Sequence, residues 1–562
     1  MQSITGRTWD VRRRAPDAVF ERAGAVPPLA VQILHNRGCR PEDMADALAG
    51  AELPHDPFLM SGMSAAVERV LRAVEAKERI CVYADYDADG VTGAAVLLSA
   101  IASIGGSVTH YFPSRLEEGY GLNSNAVRAI HQNGAGLLIS TDCGANAAVE
   151  TELAAGLGMN VVVTDHHAVR TRLPAALAVL NPHNPDEPYP FPLLAGVGVA
   201  YKLSEALLLE AEAPGSIEPE SLLDLAALGT VADVVPLVDE NRWIVREGLD
   251  LMNRTPRPGV LALIEASGLA PGALTAKDLA FRLGPRINAA GRMAGADAGL
   301  DLLLATESSR ARSLAAELNA LNRERQVATS RVLDEALEAS SGAPIALAHK
   351  DGWPLGVVGL VAGRLAEATG RPAYVSATWN GVARGSARGP DGFDVLASLD
   401  RCADHLSAYG GHARAAGFSF DPARLRDLHR SLLEDWERLP DKPEAPPPLR
   451  IDCRLLPESV GWETLALQYA MEPFGEGFPP PLFSVSGLSL GRATAVGNNQ
   501  EHLKISFRDM PDFVSCIWFG SGKVVDGLAG GSRYDVAFRL ARSSFNGEER
   551  IDMVVEDLRP AR

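Results

Sequence analysis

Ile80 to Gly90 (ICVYADYDADG) places three aspartates at alternate positions, Asp85, Asp87 and Asp89, directly after an apolar run. Alternate positions of an extended chain face the same way, so these carboxylates gather at one strand end. Crowded carboxylates resist ionising together unless positive charge lies between them, and hard divalent cations take oxygen ligands. Three further stretches offer ligands of the same kind: Thr141-Asp142-Cys143-Gly144, Thr164-Asp165-His166-His167, and Asp233 in LLDLAALGTVADVVPL. The candidate set is therefore Asp85, Asp87, Asp142, His166, His167 and Asp233. Carboxylates with one or two imidazoles and no cysteine suit Mn2+ or Mg2+ better than structural zinc. Several bridging-capable carboxylates predict two ions, ~3.5–4 Å apart, that clamp the attacking and leaving oxygens of a phosphoryl displacement. Hydrolysis of a phosphodiester or a phosphoanhydride is the chemistry such a set serves. Taken singly, each motif has a plainer reading: a solvated Asp-rich turn, a helix cap at Asp142, an Asp-His-His with satisfied imidazoles. Their recurrence at one kind of place decides for the shared site.

That place is the carboxyl end of short apolar strands. Ile80 to Tyr83, Leu137 to Ser140 and Val161 to Val163 each run into one of the aspartate motifs, and a helical pattern follows or precedes each. Strands alternating with helices predict a parallel α/β sheet, and open sheets of that kind bind ligands beyond the carboxyl ends of their strands. Asp233 arrives in the turn after a small-residue helix. Arg282 to Met293 (RLGPRINAAGRM) reads as a Gly- and Arg-rich loop. From about Thr306 to Ala339 there is neither Gly nor Pro, which predicts one helix of roughly 50 Å, long enough to bridge two domains. A second α/β segment follows and ends at Gly410-Gly411-His412. Leu439 to Leu449 (LPDKPEAPPPL) is a proline-rich linker. Beyond it, short alternating runs with one early helical insert predict a five- or six-stranded OB-like β-barrel. Its aromatics (Phe507, Phe513, Trp518, Phe519, Phe538, Phe545) read as core before base-stacking platforms. The domain boundaries read as an N-terminal cap without chemistry of its own (1–60), the site-bearing α/β domain (61–300), a connecting helix (301–340), a smaller α/β domain (341–438), the linker (439–449) and the barrel (450–562).

The 562 residues are too many for one core, and three or four domains is the natural expectation. No apolar run approaches the ~20 residues that span a bilayer, and the N-terminal MQSITGRTWDVRRR lacks a signal-peptide core. The six cysteines form no CxxC pair and no framework, which fits reduced thiols in a cytoplasm. A net charge of −18 argues against a nonspecific nucleic-acid coat protein. It leaves open a nucleic-acid enzyme that works through divalent metals and a local basic channel.

DYDADG at Asp85, TDCG at Asp142, DHH at Asp165 and GTVADVVPL around Asp233 resemble, in order, the four motifs of the DHH phosphoesterase superfamily. GGHARAAGF at Gly410 resembles its companion DHHA1 domain. With RLGPRINAAGRM, YFPSRLEEGYGL from Tyr111 and the barrel, the resemblance narrows to the single-strand-specific 5′→3′ exonucleases of that superfamily, over about residues 60 to 560. It implies that Asp85, Asp87, Asp142, His166 and Asp233 are ligands of two divalent ions, Mn2+ or Mg2+, with Asp142 bridging. It implies that His167 contacts the scissile phosphate and that Asp165 orients an imidazole from behind. Asp89 would support the ligands or shape the loop. Cys143 departs from the asparagine common in relatives, which touches fine positioning. Arg115, with Ser386 and Arg388 from the second domain, resembles a grip on a terminal 5′-phosphate. Gly410, Gly411 and His412 suit close approach to a nucleotide. Arg286 and Arg292 would track the backbone of DNA, or else form interdomain salt bridges, Arg292 being the better candidate for DNA. The implied protein is a cytoplasmic, monomeric exonuclease that degrades single-stranded DNA to 5′-mononucleotides in repair and recombination. Single-strand-binding protein and a helicase are the implied partners, and no membrane. Two rivals remain: a phosphoesterase of short oligonucleotides or cyclic dinucleotides, whose chains are usually shorter and lack the barrel, and a noncatalytic replication scaffold, whose kind has lost the metal-binding carboxylates.

Overall fold

The computed structural model describes residues 3–50, 53–169, 172–211, 217–439, 448–528, 530–545 and 548–561. It divides into two compact units, Pro54–Pro443 and the pair of segments Met1–Leu53 and Glu444–Arg562.

The larger unit holds two lobes. In the first, five strands run parallel in the order Ser107–Tyr111, Arg79–Ala84, Ala135–Thr141, Asn160–Thr164 and Ala178–Leu180. Parallel sheets are covered on both faces, so their strands are apolar throughout. Arg79–Ala84 shows the consequence residue by residue: Ile80, Val82 and Ala84 belong to one apolar cluster, Cys81 and Tyr83 to another on the opposite face. The sheet is thus gripped from both sides, and the loops at its carboxyl edge start from fixed points.

The long helix spans Ser308–Ala339, 32 residues without Gly or Pro. Its Leu314 and Leu318 belong to the first lobe's core, and its Val332 and Ala336 to the second's. One rigid rod therefore joins both lobes. The second lobe is a mixed sheet in the order Ala408–His412, Ala415–Phe420, Val382–Arg388, Ala373–Trp379 and Ala346–His349, with only the last pair parallel.

The segment RLGPRINAAGRM is not a loop. Leu279–Leu283 forms a π-helical turn that leads into the helix Gly284–Met293. Proline is tolerated in a first helical turn, and Gly291 is there for contact: a Cβ on it would fall 2.2 Å from the Tyr86 carbonyl oxygen. Glycine composition, taken as a loop signal, here marks close packing.

In the smaller unit Phe483–Val496, His502–Phe507, Val514–Trp518, Glu548–Pro560 and Arg533–Phe545 close into a five-stranded barrel, because the last strand pairs back onto the first. Cys453–Arg454 adds an edge strand, and Trp462–Ala470 is the helical insert. Phe507, Trp518 and Phe538 are buried as core, whereas Phe513 and Phe519 are exposed. The side chain of Phe545 and residues 440–447 of the proline-rich linker lie outside the described residues. The N-terminal segment packs with this unit and forms no separate cap. Trp9–Val11 pairs in parallel with Leu449–Ile451, and Trp9 Nε1 donates to Asp557 at 2.8 Å. A strand pair joining the two ends of the chain leaves no local pattern from which to read it.

Candidate active site

Each acidic motif lies where a regular element stops. Asp85 follows Ala84, is buried, and its N–H donates to the Thr141 carbonyl at 3.3 Å. Gly90 makes the turn possible, since a Cβ there would fall 2.2 Å from the Asp85 carbonyl oxygen. Asp87 caps the helix Ala88–Ser103, one carboxylate oxygen accepting the N–H groups of Asp89 and Gly90 at 3.0 and 3.2 Å. Asp142 ends its strand at φ +58°, a left-handed conformation unusual outside glycine. Gly196 faces it so closely that a Cβ would sit 2.7 Å from the Asp142 Cβ. Asp233 ends the helix Leu223–Ala232, its N–H donating to the Gly229 carbonyl at 2.9 Å.

These ends converge. His166 Nε2 lies 3.2 Å from Asp142 Oδ1, 3.6 Å from Asp233 Oδ2 and 3.9 Å from Asp89 Oδ2. Ligand atoms within 4.8 Å of one another are offered by Asp85, Asp87 and Asp142, by Asp142, His166 and His167, and by Asp89, His166 and Asp233. Asp142 is shared by two of these sets. Asp85 Oδ1, Asp142 Oδ1 and His166 Nε2 are buried with no hydrogen-bond partner. Burial, then repulsion from neighbouring carboxylates, pushes Asp85, Asp142 and Asp233 well above the usual carboxyl range. Burial, then the charge of His167, lowers His166 to about 4, so its ring is neutral. Its hydrogen bond goes to the Leu194 backbone, which leaves the Nε2 lone pair facing the carboxylates. Buried polar atoms are normally satisfied, and a set of carboxylate oxygens around a neutral imidazole is what a hard divalent ion would satisfy.

Around the ligand candidates stands a supporting layer. Asp165 accepts the N–H of Ala145 at 2.7 Å through one oxygen and, through the other, those of His166 and His167 at 2.8 and 3.1 Å. That second oxygen also meets His167 Nδ1 at 2.8 Å. Burial opposes both charges, yet the pair prevails: Asp165 is held below its ordinary value and His167 above. The Tyr120 hydroxyl lies 3.0 Å from the His167 ring and donates to the Asp142 carbonyl at 3.2 Å. Asp89 is buried, and its two oxygens accept the N–H groups of Gly196 and Val197, each at 2.7 Å. It thereby pins the start of the helix Gly196–Glu210 against the site. Burial and then Asp87 push its carboxyl up to about 7. Cys143 packs into the apolar cluster with Leu138 and Val163.

Beside this acidic floor a cleft of about 700 Å³ opens between the two lobes, lined among others by Tyr86, Arg115, Tyr120, Arg292, Ser386 and Arg388. The Arg115 guanidinium lies 4.8 Å from the Tyr86 ring centroid. Arg388 donates to Ser386 Oγ at 2.7 Å and to the Ala387 carbonyl at 2.9 Å, and Arg292 to the Gly356 carbonyl at 3.2 Å. Burial and the charge of Arg115 lower Arg292 to about 10, and lower Arg388 as well. Among the described residues none of the three arginines has a carboxylate ion-pair partner, so the wall keeps its charge. Gly410 lines the cleft, whereas Gly411 and the exposed His412 are not among its lining residues. Arg286 is not brought to the cleft: its Nε donates to Asn319 Oδ1 at 3.1 Å on the long helix. Tyr86, Tyr120 and Arg384 are among the lining residues that escaped sequence reasoning. Arg384 had a signal, because 384, 386 and 388 alternate along Val382–Arg388 and share a face. Its Nη1 donates to the Leu116 carbonyl at 2.7 Å, across the cleft.

The models of three families match this chain: the DHH family N-terminal domain over residues 79–230, the DHHA1 domain over 339–437 and the RecJ OB domain over 451–557. The single-stranded-DNA-specific exonuclease RecJ of Bacillus subtilis (strain 168) is 36% identical over 559 residues, spanning 98% of this chain and 70% of that protein. The crystal structure of RecJ from Thermus thermophilus in complex with Mn2+ superposes with a TM-score of 0.85 at 31% identity, over 99% of this chain and 80% of that one. Its complex with Mg2+ gives 0.79 at 29% identity, over 99% and 79%.

Proposed function

This chain belongs to the RecJ family, and on that premise we propose that it is a single-strand-specific exonuclease that removes 5′-mononucleotides from the 5′ end of DNA. The observation that carries the reading is the convergence of Asp85 Oδ1, Asp142 Oδ1 and His166 Nε2, buried and unpartnered, beside a cleft walled with arginine. Asp85, Asp87 and Asp142 would hold one Mn2+ or Mg2+, and Asp142, His166 and Asp233 a second, with Asp142 common to both. Bound there, two divalent ions would supply Lewis acidity toward the scissile phosphate and a lowered pKa for water. His167, fixed by Asp165 and Tyr120 and biased toward its charged form, would donate a hydrogen bond to a phosphate oxygen.

Arg115, Arg388 and the Ser386 hydroxyl would take the terminal 5′-phosphate through charge-assisted hydrogen bonds. With the end of the strand fixed there, the separation of pocket and acidic floor sets how many nucleotides leave at a time. Gly410, with no side chain, lets the strand approach the cleft wall closely. The proposed setting is DNA repair and recombination in the cytoplasm. The protein would act as a monomer, with single-strand-binding protein and a helicase presenting the strand. The test is a time course on a 3′-end-labelled single strand and its duplex, in Mn2+ and in EDTA. The expected result is stepwise shortening of the single strand from its 5′ end in Mn2+, with release of mononucleotides, and none in EDTA. Shortening from the 3′ end, or equal rates on duplex, would overturn the proposal.

A further inference from the structure

Where the segment Leu279–Met293 meets the long helix, cations gather that no carboxylate answers. Arg286 donates through Nε to Asn319 Oδ1 at 3.1 Å and through Nη1 to the Arg282 carbonyl at 2.5 Å. Arg325 donates through Nε and Nη2 to Asn322 Oδ1, at 3.2 and 2.9 Å. Arg282 donates to the Ser267 carbonyl, and Arg323 is exposed. Among the described residues none of these four arginines makes an ion pair. In a chain with 71 acidic and 53 basic residues, a carboxylate is the commoner neighbour by composition. Asparagines instead hold two of the guanidiniums in place without cancelling their charge. Burial and the charges of Arg282, Arg323 and Arg325 lower Arg286, so these cations repel one another in the protein alone, and an anion would relieve them.

An exposed aromatic residue neighbours Arg282 in the chain. The π-helical turn Leu279–Leu283 buries Leu279 and Leu283 completely but leaves Phe281, the residue before Arg282, 71% exposed. On the facing helix Val327, one turn beyond Arg323, is 70% exposed. Guanidiniums that follow a backbone, with an exposed ring on which a base can stack, are the combination that binds single-stranded nucleic acid without regard to sequence.

We propose that Phe281, Arg282, Arg286 and Arg323 form a second contact surface for the single strand, the guanidiniums taking backbone phosphates and the Phe281 ring a base. None of the four lines the cleft described above. Arg292, which does, ends the helix whose start adjoins Arg282, and ten helical residues span ~15 Å. Only a strand several nucleotides long reaches both places. The inference rests on the single-strand nuclease reading, and it makes affinity depend on strand length.

Fluorescence anisotropy with 5′-phosphorylated strands of four and twenty nucleotides tests it, using the full chain with Asp142→Ala to prevent cleavage, over a range of salt concentrations. On the long strand, Phe281→Ala and Arg323→Gln are each expected to weaken binding about tenfold, the scale of one stacked base or one guanidinium contact. Arg323→Gln should also flatten the slope of log K against log salt by about 0.7, and Arg323→Lys should restore it. Losses equal on both lengths, or an unchanged slope, would overturn the proposal. So would polyglutamate competing as well as single-stranded DNA of equal charge, which would assign the face to an acidic protein. If the unsubstituted chain neither binds nor degrades single strands, the nuclease reading itself falls. If it does both while the variants match it, only this surface falls.

Discussion

The carboxylate floor beside the cleft is assembled from short motifs at the carboxyl ends of neighbouring parallel strands, with Asp233 supplied by a helix end. The cleft's arginine wall draws Arg115 from a loop, Arg292 from a helix terminus, and Arg384 and Arg388 from an antiparallel strand of the other lobe. The floor is buried and its backbone is pinned by the sheet, as when the Asp85 and Asp142 N–H groups donate to the carbonyls that end the neighbouring strands. The wall is half-exposed, and its guanidiniums are steadied by carbonyls, a hydroxyl and one ring. Two kinds of work follow from two kinds of construction. On the proposed reading, the rigid buried pole would position charge for a reaction, and the softer cationic pole would recognise an anionic end.

Asp142→Ala tests that division most severely. Asp142 is common to two of the three ligand sets, so its loss should lower kcat on the order of 10³-fold or more, at or beyond the effect of removing a single electrostatic donor. Calorimetry should show Mn2+ binding lost, while affinity for a 5′-phosphorylated strand is not weakened, because the wall is intact. If strand binding collapses together with turnover, floor and wall are not separable. Arg388→Ala approaches from the other pole. One charge-assisted hydrogen bond is worth ~1.5–3 kcal/mol, so the preference for 5′-phosphate over 5′-hydroxyl ends should fall by about 10- to 100-fold, read as the ratio of kcat/KM values. A loss equal on both kinds of end would remove Arg388 from end recognition.

The poles should also differ in how they respond to pH. Without ions, Asp85, Asp142 and Asp233 are raised by burial, and Asp89 stands at about 7. An acid whose pKa is higher in the folded than in the unfolded protein stabilises the fold while it stays protonated. That contribution is complete below the unfolded carboxyl value and is lost as pH rises through the folded one. In EDTA the melting temperature is therefore expected to fall as pH rises from about 4, the ordinary carboxyl value, through about 7, by roughly a few degrees, and saturating Mn2+ should remove the fall. A fall that persists in Mn2+ would place its cause outside the floor.

The floor was legible in the sequence because every ligand candidate sits at the end of an apolar run, and strand periodicity carries its carboxylates to one edge. Asp89 could be narrowed to a supporting part but not given a partner, because the N–H groups it accepts belong to Gly196 and Val197, on a distant helix. The wall is another matter. Arg115, Ser386 and Arg388 came from resemblance alone, since no local pattern brings a first-lobe loop beside a second-lobe strand. Arg286 was grouped with Arg292 because both lie in RLGPRINAAGRM. Once that segment is a helix, the two residues six apart point in different directions, one to the cleft and one to the long helix. The N-terminal segment failed for a related reason, its partner strand lying beyond the whole of the larger unit.

Tyr120 joins the two poles and gives the finest test of their separation. It lines the cleft, yet its hydroxyl reaches the His167 ring and the Asp142 carbonyl. Tyr120→Phe keeps the ring and removes only those hydrogen bonds. A typical neutral hydrogen bond contributes ~0.5–1.5 kcal/mol, so kcat should drop about two- to tenfold, with the preference for phosphorylated ends unchanged. That outcome places the hydroxyl with the floor. A rise in KM at constant kcat would place it with the wall, because the Tyr120 hydroxyl would then act on the strand and not on the chemistry through His167.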